Sequence, residues 1–150
     1  MPTKPIHPIL SYGLVTIQFA AIGWLFTFEP WLSTKPAGLA IQLLGVFLGI
    51  SAVAVMHLGR FNIIPDPRID AKLVTKGPYR WIRHPMYTSL LLFFLPILLQ
   101  TQSISSWLAF LILIVDLLIK LHYEEKLLVQ RFAEYRDYQN KTAKILPFLF

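Results

Sequence analysis

Four stretches of the chain are almost free of charge, and polar residues collect between them. Residues 9–28 (ILSYGLVTIQFAAIGWLFTF) and 37–58 (AGLAIQLLGVFLGISAVAVMHL) contain no Lys, Arg, Asp or Glu. Residues 104–122 (ISSWLAFLILIVDLLIKLH) carry only Asp116 and Lys120. A hydrocarbon core about 30 Å thick needs roughly 20 apolar helical residues, so each of these predicts a membrane span. Residues 86–100 (MYTSLLLFFLPILLQ) form a shorter run, about 22 Å as a helix. It is expected to span by tilting or by local thinning of the bilayer, with a re-entrant hairpin against the last span as the alternative. The first run exceeds a signal-peptide core and no small-x-small cleavage site follows it, so it reads as a retained span. The pattern predicts an all-α polytopic membrane protein: about four transmembrane helices in one domain over residues 1–150.

Composition agrees. The 150 residues are 55% hydrophobic and 15% charged, against about a quarter charged in soluble domains. Charge then adds a sidedness. With four spans, all but Lys35 of the 14 Lys and Arg fall on the side shared by the N-terminus, the 59–85 loop and the C-terminal region. The positive-inside rule makes that side cytoplasmic. The net charge of +6 therefore suits a basic membrane face and not a nucleic-acid surface. Trp24, Trp31 and Trp107 fall near predicted span ends, where indoles favour the headgroup region. With no cysteine there is no disulfide framework, zinc-thiolate site or cysteine nucleophile. Small size without a targeting signal fits a prokaryotic inner membrane.

The connections at the Lys35 side are short, residues 29–36 and 101–103. The 59–85 loop is long, and long ordered loops are commonly functional. Pro65, Pro67 and Pro78 argue against a helix there. Its end, GPYRWIRHPMYTS (77–89), is dense in aromatic and basic residues. Gly77-Pro78 signals a turn, and Pro85 suits a first helical turn. Arg83 and His84 then sit at the mouth of the third span with Tyr87 one turn inside, a place suited to an anionic group. The competing reading is a plain juxtamembrane anchor. A second knot spans 122–147. There Leu121, Glu125, Leu128, Phe132 and Tyr135 share one helix face, so Glu125 is a carboxylate on a buried stripe. Glu124 lies instead on a row with Asp116 and Lys120, an i,i+4 ladder able to neutralise itself. Asp116, costly in lipid, should face the bundle. Gly45 and Gly49 (GVFLG) suit close helix packing, within the chain more than between chains. His7, His57, His84 and His122 lack metal-ligand spacing, and no metal is expected. No Walker loop, dinucleotide fingerprint or nucleophile elbow is present.

The two knots together resemble the signature of the integral-membrane methyltransferases, which include isoprenylcysteine carboxyl methyltransferases and phospholipid N-methyltransferases. GPYRWIRHPMY matches the family's first motif, G-P-Y-x-x-x-R-H-P-x-Y. EEKLL, FAEYRDY and ILP fall where its second motif belongs, so the resemblance covers residues 73–147, about half the chain. It implies an S-adenosylmethionine site at the cytoplasmic membrane boundary, formed by the loop and the C-terminal helix, and a lipophilic acceptor, lipid-like or prenylated. Carried over, the cofactor-binding residues are Tyr79, Arg83, His84, Pro85, Tyr87, Glu124 and Glu125, with Tyr135 and Lys141 toward the substrate. Ser89 and Ala133 stand where the family usually has glycine. No catalytic residue is identified, and neither the methylated atom nor the oligomeric state is fixed. On these residues Arg83, at least partly solvated, would take the cofactor's carboxylate, and Glu125 more than Glu124 its ammonium or ribose. The rival expectation for Glu125 is a buried pair with a loop arginine. Two other classes stay open: an NADPH-dependent membrane reductase, since steroid reductases have a similar Arg-His-Pro-x-Tyr stretch, and a non-catalytic membrane scaffold.

Overall fold

The computed structural model describes residues 7–56 and 73–146. Lys4, His57, Arg60, Pro65, Pro67, Arg68, Lys72 and Pro147, and with them most of the long loop, lie outside that range. Proline sets three of the helix starts: α1 (Pro8–Phe28), α2 (Pro36–Met56) and α3 (Pro85–Thr101) each begin on one, where the missing N–H costs nothing. α1 stops because Glu29 precedes Pro30, which disfavours the helical conformation, and Glu29 is extended. α3 ends in a left-handed Gln102, φ 54°. Ser103 then caps α4 (Ile104–Arg131), its hydroxyl accepting from the Ser106 amide. A short α5 (Tyr135–Lys141) follows. Among the described residues there are no strands, only one isolated parallel bridge. The chain is an all-α polytopic membrane protein: α1, α2 and α4 are each long and apolar enough to cross a bilayer, and α3 is a shorter apolar helix.

The 17 residues of α3 make it about 25 Å long. It runs antiparallel to α2 in a register that can be followed residue by residue. A Cβ on Gly49 would lie 2.9 Å from Ser89 Oγ, and one on Gly45 3.0 Å from the Ser89 carbonyl and 3.1 Å from Leu92 Cβ. Further along, buried Gln42 donates to the Phe93 carbonyl at 3.1 Å. Pro96 disturbs the backbone ladder of α3 just there, and Gln42 serves one of the nearby carbonyls. Pro96 itself packs against Gly38. At the end of the row Gln100 Oε1 accepts from the Thr34 amide at 2.8 Å and the Ser33 hydroxyl at 3.0 Å. α3 thus lies along α2 from the α1–α2 connection to within about two turns of the far end of α2. GVFLG serves packing inside the chain, as its spacing suggested.

α1 packs on α4, and a core of Ala21, Leu25, Phe94, Ile97, Leu98, Phe110, Leu113 and Leu117 joins α1, α3 and α4. Phe47, Ile50, Leu108 and Ile112 point outward and stay exposed, as lipid-facing side chains do. Lys35 sits at one end of the bundle beside Ser33. Lys76, Arg80, Arg83, Lys141 and Lys144 belong to the segments at the other end.

Candidate functional site

The site is assembled at the basic end from three segments. Gly77 has φ +58°, and a Cβ there would sit 2.6 Å from Val55 Cγ2. Glycine therefore answers both a left-handed backbone and a close approach, and it seats the 3₁₀ turn Gly77–Arg80 against the end of α2. Residues 81–84 then pair with the segment after α5. The Arg83 amide donates to the Ala143 carbonyl at 2.8 Å, the Ala143 amide to Trp81 at 3.0 Å, and the His84 amide to Lys144 at 3.1 Å. The Thr88 hydroxyl donates to the Ile145 carbonyl at 2.7 Å, and the Tyr138 hydroxyl to the Tyr79 carbonyl at 2.5 Å. The C-terminal segment is strapped across the mouth of α3.

Beneath the strap the mouth of α3, α4 and α5 bring six polar side chains together. Arg83 Nε donates to Glu125 Oε1 at 2.5 Å, while Nη1 donates to the carbonyls of Gln139 (3.0 Å) and Thr142. Gln139 Nε2 donates to the other Glu125 oxygen at 3.1 Å. The His84 ring lies between the two carboxylates, Nδ1 3.4 Å from Glu124 Oε2 and Nε2 3.4 Å from Glu125 Oε1. The Tyr87 hydroxyl donates to Glu124 Oε1 at 2.8 Å, and its ring stacks on His84 at 5.3 Å between centroids. Burial alone would lower the His84 pKa. Hydrogen bonds to Glu124 and Glu125 and their charges outweigh that and hold it above its ordinary value. Burial pushes the Tyr138 phenol up to about 12, against a lowering pull from Arg83, so it remains a donor. With His84 protonated, two cations face two carboxylates and the cluster is neutral.

The expected site residues are largely convergent. Arg83, His84, Tyr87, Glu124 and Glu125 touch one another. Pro85 is buried at the start of α3, and Tyr79 joins through Tyr138. Tyr135 is 2% exposed and rests edge-on to Tyr138. Lys141 is exposed at the end of α5. Four expectations need correction. Arg83 is buried, not solvated, because Glu125 and two tail carbonyls surround its guanidinium. Glu125 does face inward, but it is held by Arg83, His84 and Gln139, the loop-arginine pairing that was its rival reading. Glu124 stays in electrostatic reach of Lys120, as the ladder expected, but its hydrogen bonding goes elsewhere: it accepts from Tyr87 and faces His84, while Lys120 Nζ donates to Gln18 of α1. Finally, Phe132 and Tyr135 do not extend the stripe of α4. The helix ends at an extended Phe132, and α5 begins afresh at Tyr135.

Gln139, Thr142 and Thr88 escaped the sequence reading, since their contribution is a backbone path or an amide with no spacing signal. Tyr138 stood in FAEYRDY and was open to notice as the second aromatic of that motif.

A helical membrane bundle with a buried Arg–His–Tyr and paired-carboxylate cluster at its basic end defines the class. The phospholipid methyltransferase family profile matches residues 34–135, and the chain belongs to that family. It is 26% identical over 129 residues to a protein-S-isoprenylcysteine O-methyltransferase of Tribolium castaneum, covering 79% of this chain and 43% of that protein. It is 29% identical over 139 residues to the cobalt-zinc-cadmium resistance protein CzcN of Cupriavidus metallidurans, covering 90% of this chain and 62% of that one. The chain spans less than two thirds of the length of either relative.

Proposed function

We propose that the chain, acting as one domain, catalyses S-adenosylmethionine-dependent methyl transfer to a lipophilic acceptor at the cytoplasmic membrane face. Family membership supports the reaction class. The observation that carries the site is the pair Glu124–Glu125, of which one carboxylate is enclosed and the other, though bonded to Tyr87, stays partly open. Glu125 is enclosed by Arg83, His84 and Gln139, with 10% of its side chain exposed. Glu124 keeps 20% of its side chain exposed and lies beside the stacked His84 and Tyr87 rings. A carboxylate next to an aromatic stack fits a ligand with an ammonium, ribose hydroxyls and a purine. Arg83 fits less well than its position in the motif implies, because Nε and Nη1 are committed within the chain.

In this reading Glu124 receives the cofactor's ammonium or ribose hydroxyls. Tyr87 and His84 hold Glu124 in place and present their rings, with Tyr79 and Tyr135 as aromatic walls. Arg83, Pro85 and Glu125 fix the loop and tail around them, and Lys141 lies toward the acceptor's headgroup. When bound, S-adenosylmethionine supplies a methyl group activated by a sulfonium. Much of the rate would then come from alignment in a site shielded from water. The acceptor enters from the bilayer, and a basic cytoplasmic face orients the whole.

Titrating the detergent-solubilised protein with S-adenosylhomocysteine and with NADPH tests the reading. Binding of the former, weakened tenfold or more (about 1.4 kcal/mol) by Glu124→Gln, is expected. Binding of NADPH alone would establish the reductase instead, and binding of neither would leave the scaffold.

A further inference from the structure

The side of α4 turned away from the polar cluster carries a second feature. With the first turn of α1 it encloses an open groove of about 460 Å³. Leu10 of α1 and Val115, Leu118 and Ile119 of α4 form an apolar floor, and His122, Tyr123 and Lys126 form the head. Val115, Leu118, Ile119, His122 and Lys126 stand at i, i+3, i+4, i+7 and i+11, which is one helix face. His122 and Lys126 each lie two residues from Glu124, about 160° away around the helix. The groove is therefore no vestibule of the cluster, since α4 itself stands between them. The four floor residues are 38–48% exposed, so the groove is open to whatever lies beside the bundle. From Val115 to Lys126 it runs about 16 Å along α4. That is close to the depth of one leaflet in a hydrocarbon core about 30 Å thick.

The head of the groove favours an anion. Lys126 and His122 are exposed, and neither has a hydrogen bond or ion pair among the described residues. α1 begins at the same level, the ring of its cap residue His7 lying 6.2 Å from Tyr123. No side chain caps that helix and its first turn holds no carboxylate, so its positive end adds to the charge of Lys126. A free phosphate would leave the apolar floor uncovered, and an uncharged lipid would leave the head unanswered. A lipid with an acidic head satisfies both, and lysines at a membrane boundary attract such lipids. We propose that this groove binds an anionic phospholipid from the leaflet at the basic end of the bundle. Its phosphate rests on Lys126 and His122, and an acyl chain lies along Leu118, Ile119 and Val115. The bound lipid ties the start of α1 to α4 and is not a methyl acceptor.

The test uses the full chain, freed of native lipid in a nonionic detergent. The probes are phosphatidylglycerol and phosphatidylcholine with the same acyl chains. Phosphatidylglycerol should raise the melting temperature clearly more than phosphatidylcholine. Lys126→Gln should lose most of that difference while its lipid-free melting temperature stays at the wild-type value, because the side chain is exposed. Lys76→Gln removes an equal charge at the same end of the bundle, beside α2, and should keep the difference. Ile119→Trp fills the groove and should abolish the response to phosphatidylglycerol. Equal stabilisation of the wild type by the two lipids would overturn the proposal. So would an equal loss in both lysine variants, which would reduce the effect to a diffuse attraction. Retention of the preference in either Lys126→Gln or Ile119→Trp would overturn it too. A wild-type dimer in light scattering that Ile119→Trp makes monomeric would give the groove to a second copy of the chain, with the same result. No arm uses an S-adenosyl compound, so the lipid site stands or falls apart from the methyl-transfer reading.

Discussion

Arg83 is more enclosed, and Glu124 more open, than their places in the motif suggest. The arginine at the mouth of α3 reads as an open anion receptor, yet it is the residue that closes the structure. Its guanidinium ties α4 to the tail, and its removal would leave Glu125 buried with less compensation. Breaking a buried pair from one side costs roughly 3–5 kcal/mol. Arg83→Ala should therefore lower the melting temperature sharply with or without S-adenosylhomocysteine. Glu124→Gln should leave the ligand-free melt nearly unchanged and lose the ligand. Thermal unfolding of both variants, each with and without ligand, checks this, and a ligand-specific loss in Arg83→Ala with normal stability would reverse the assignment. The identities of these residues were legible because a dense polar knot in an oily chain is conspicuous. Which of the two carboxylates stays open was not, since that depends on Gln139 and on the path of the tail.

At the level of elements, helix starts were legible because Pro8, Pro36 and Pro85 mark them, and helix lengths because apolar runs must match a bilayer. α4 runs past His122 to Arg131, as the shared face of Leu121, Glu125 and Leu128 indicated, but stops short of Phe132 and Tyr135. The break at Phe132 had no signal, as residues 123–146 hold neither glycine nor proline. The α2–α3 contact is close enough for a single substitution to test it. A Cβ on Gly45 would meet the Ser89 carbonyl and Leu92 Cβ at 3.0–3.1 Å, so a larger side chain cannot be absorbed by one rotamer change. Gly45→Val should cost about 1–3 kcal/mol by overpacking. Its denaturation midpoint, compared with Gly13→Val, where a Cβ meets nothing within 4 Å, isolates packing from helix propensity. Equal losses in the two variants would mean that α2 and α3 are not in close register.

For the molecule as a whole, the uneven distribution of basic residues predicts an orientation that the fold makes testable. The α1–α2 and α3–α4 connections share one end, since Gln100 reaches Ser33 and Thr34. Single cysteines at Lys35 and Ser103 should label with an impermeant maleimide from outside intact cells. A cysteine at the exposed Lys141 should label only after the membrane is opened. Labelling of all three from outside would refute the arrangement. The strap across the mouth of α3 has a consequence in time. Residues 142–145 follow all four apolar helices in chain order, and chains fold N-terminal parts first as they are made. The apolar runs that drive insertion are thus all made before the segment that completes the cluster. A defect in the tail should therefore spare the four apolar helices and spoil only the closing of the cluster.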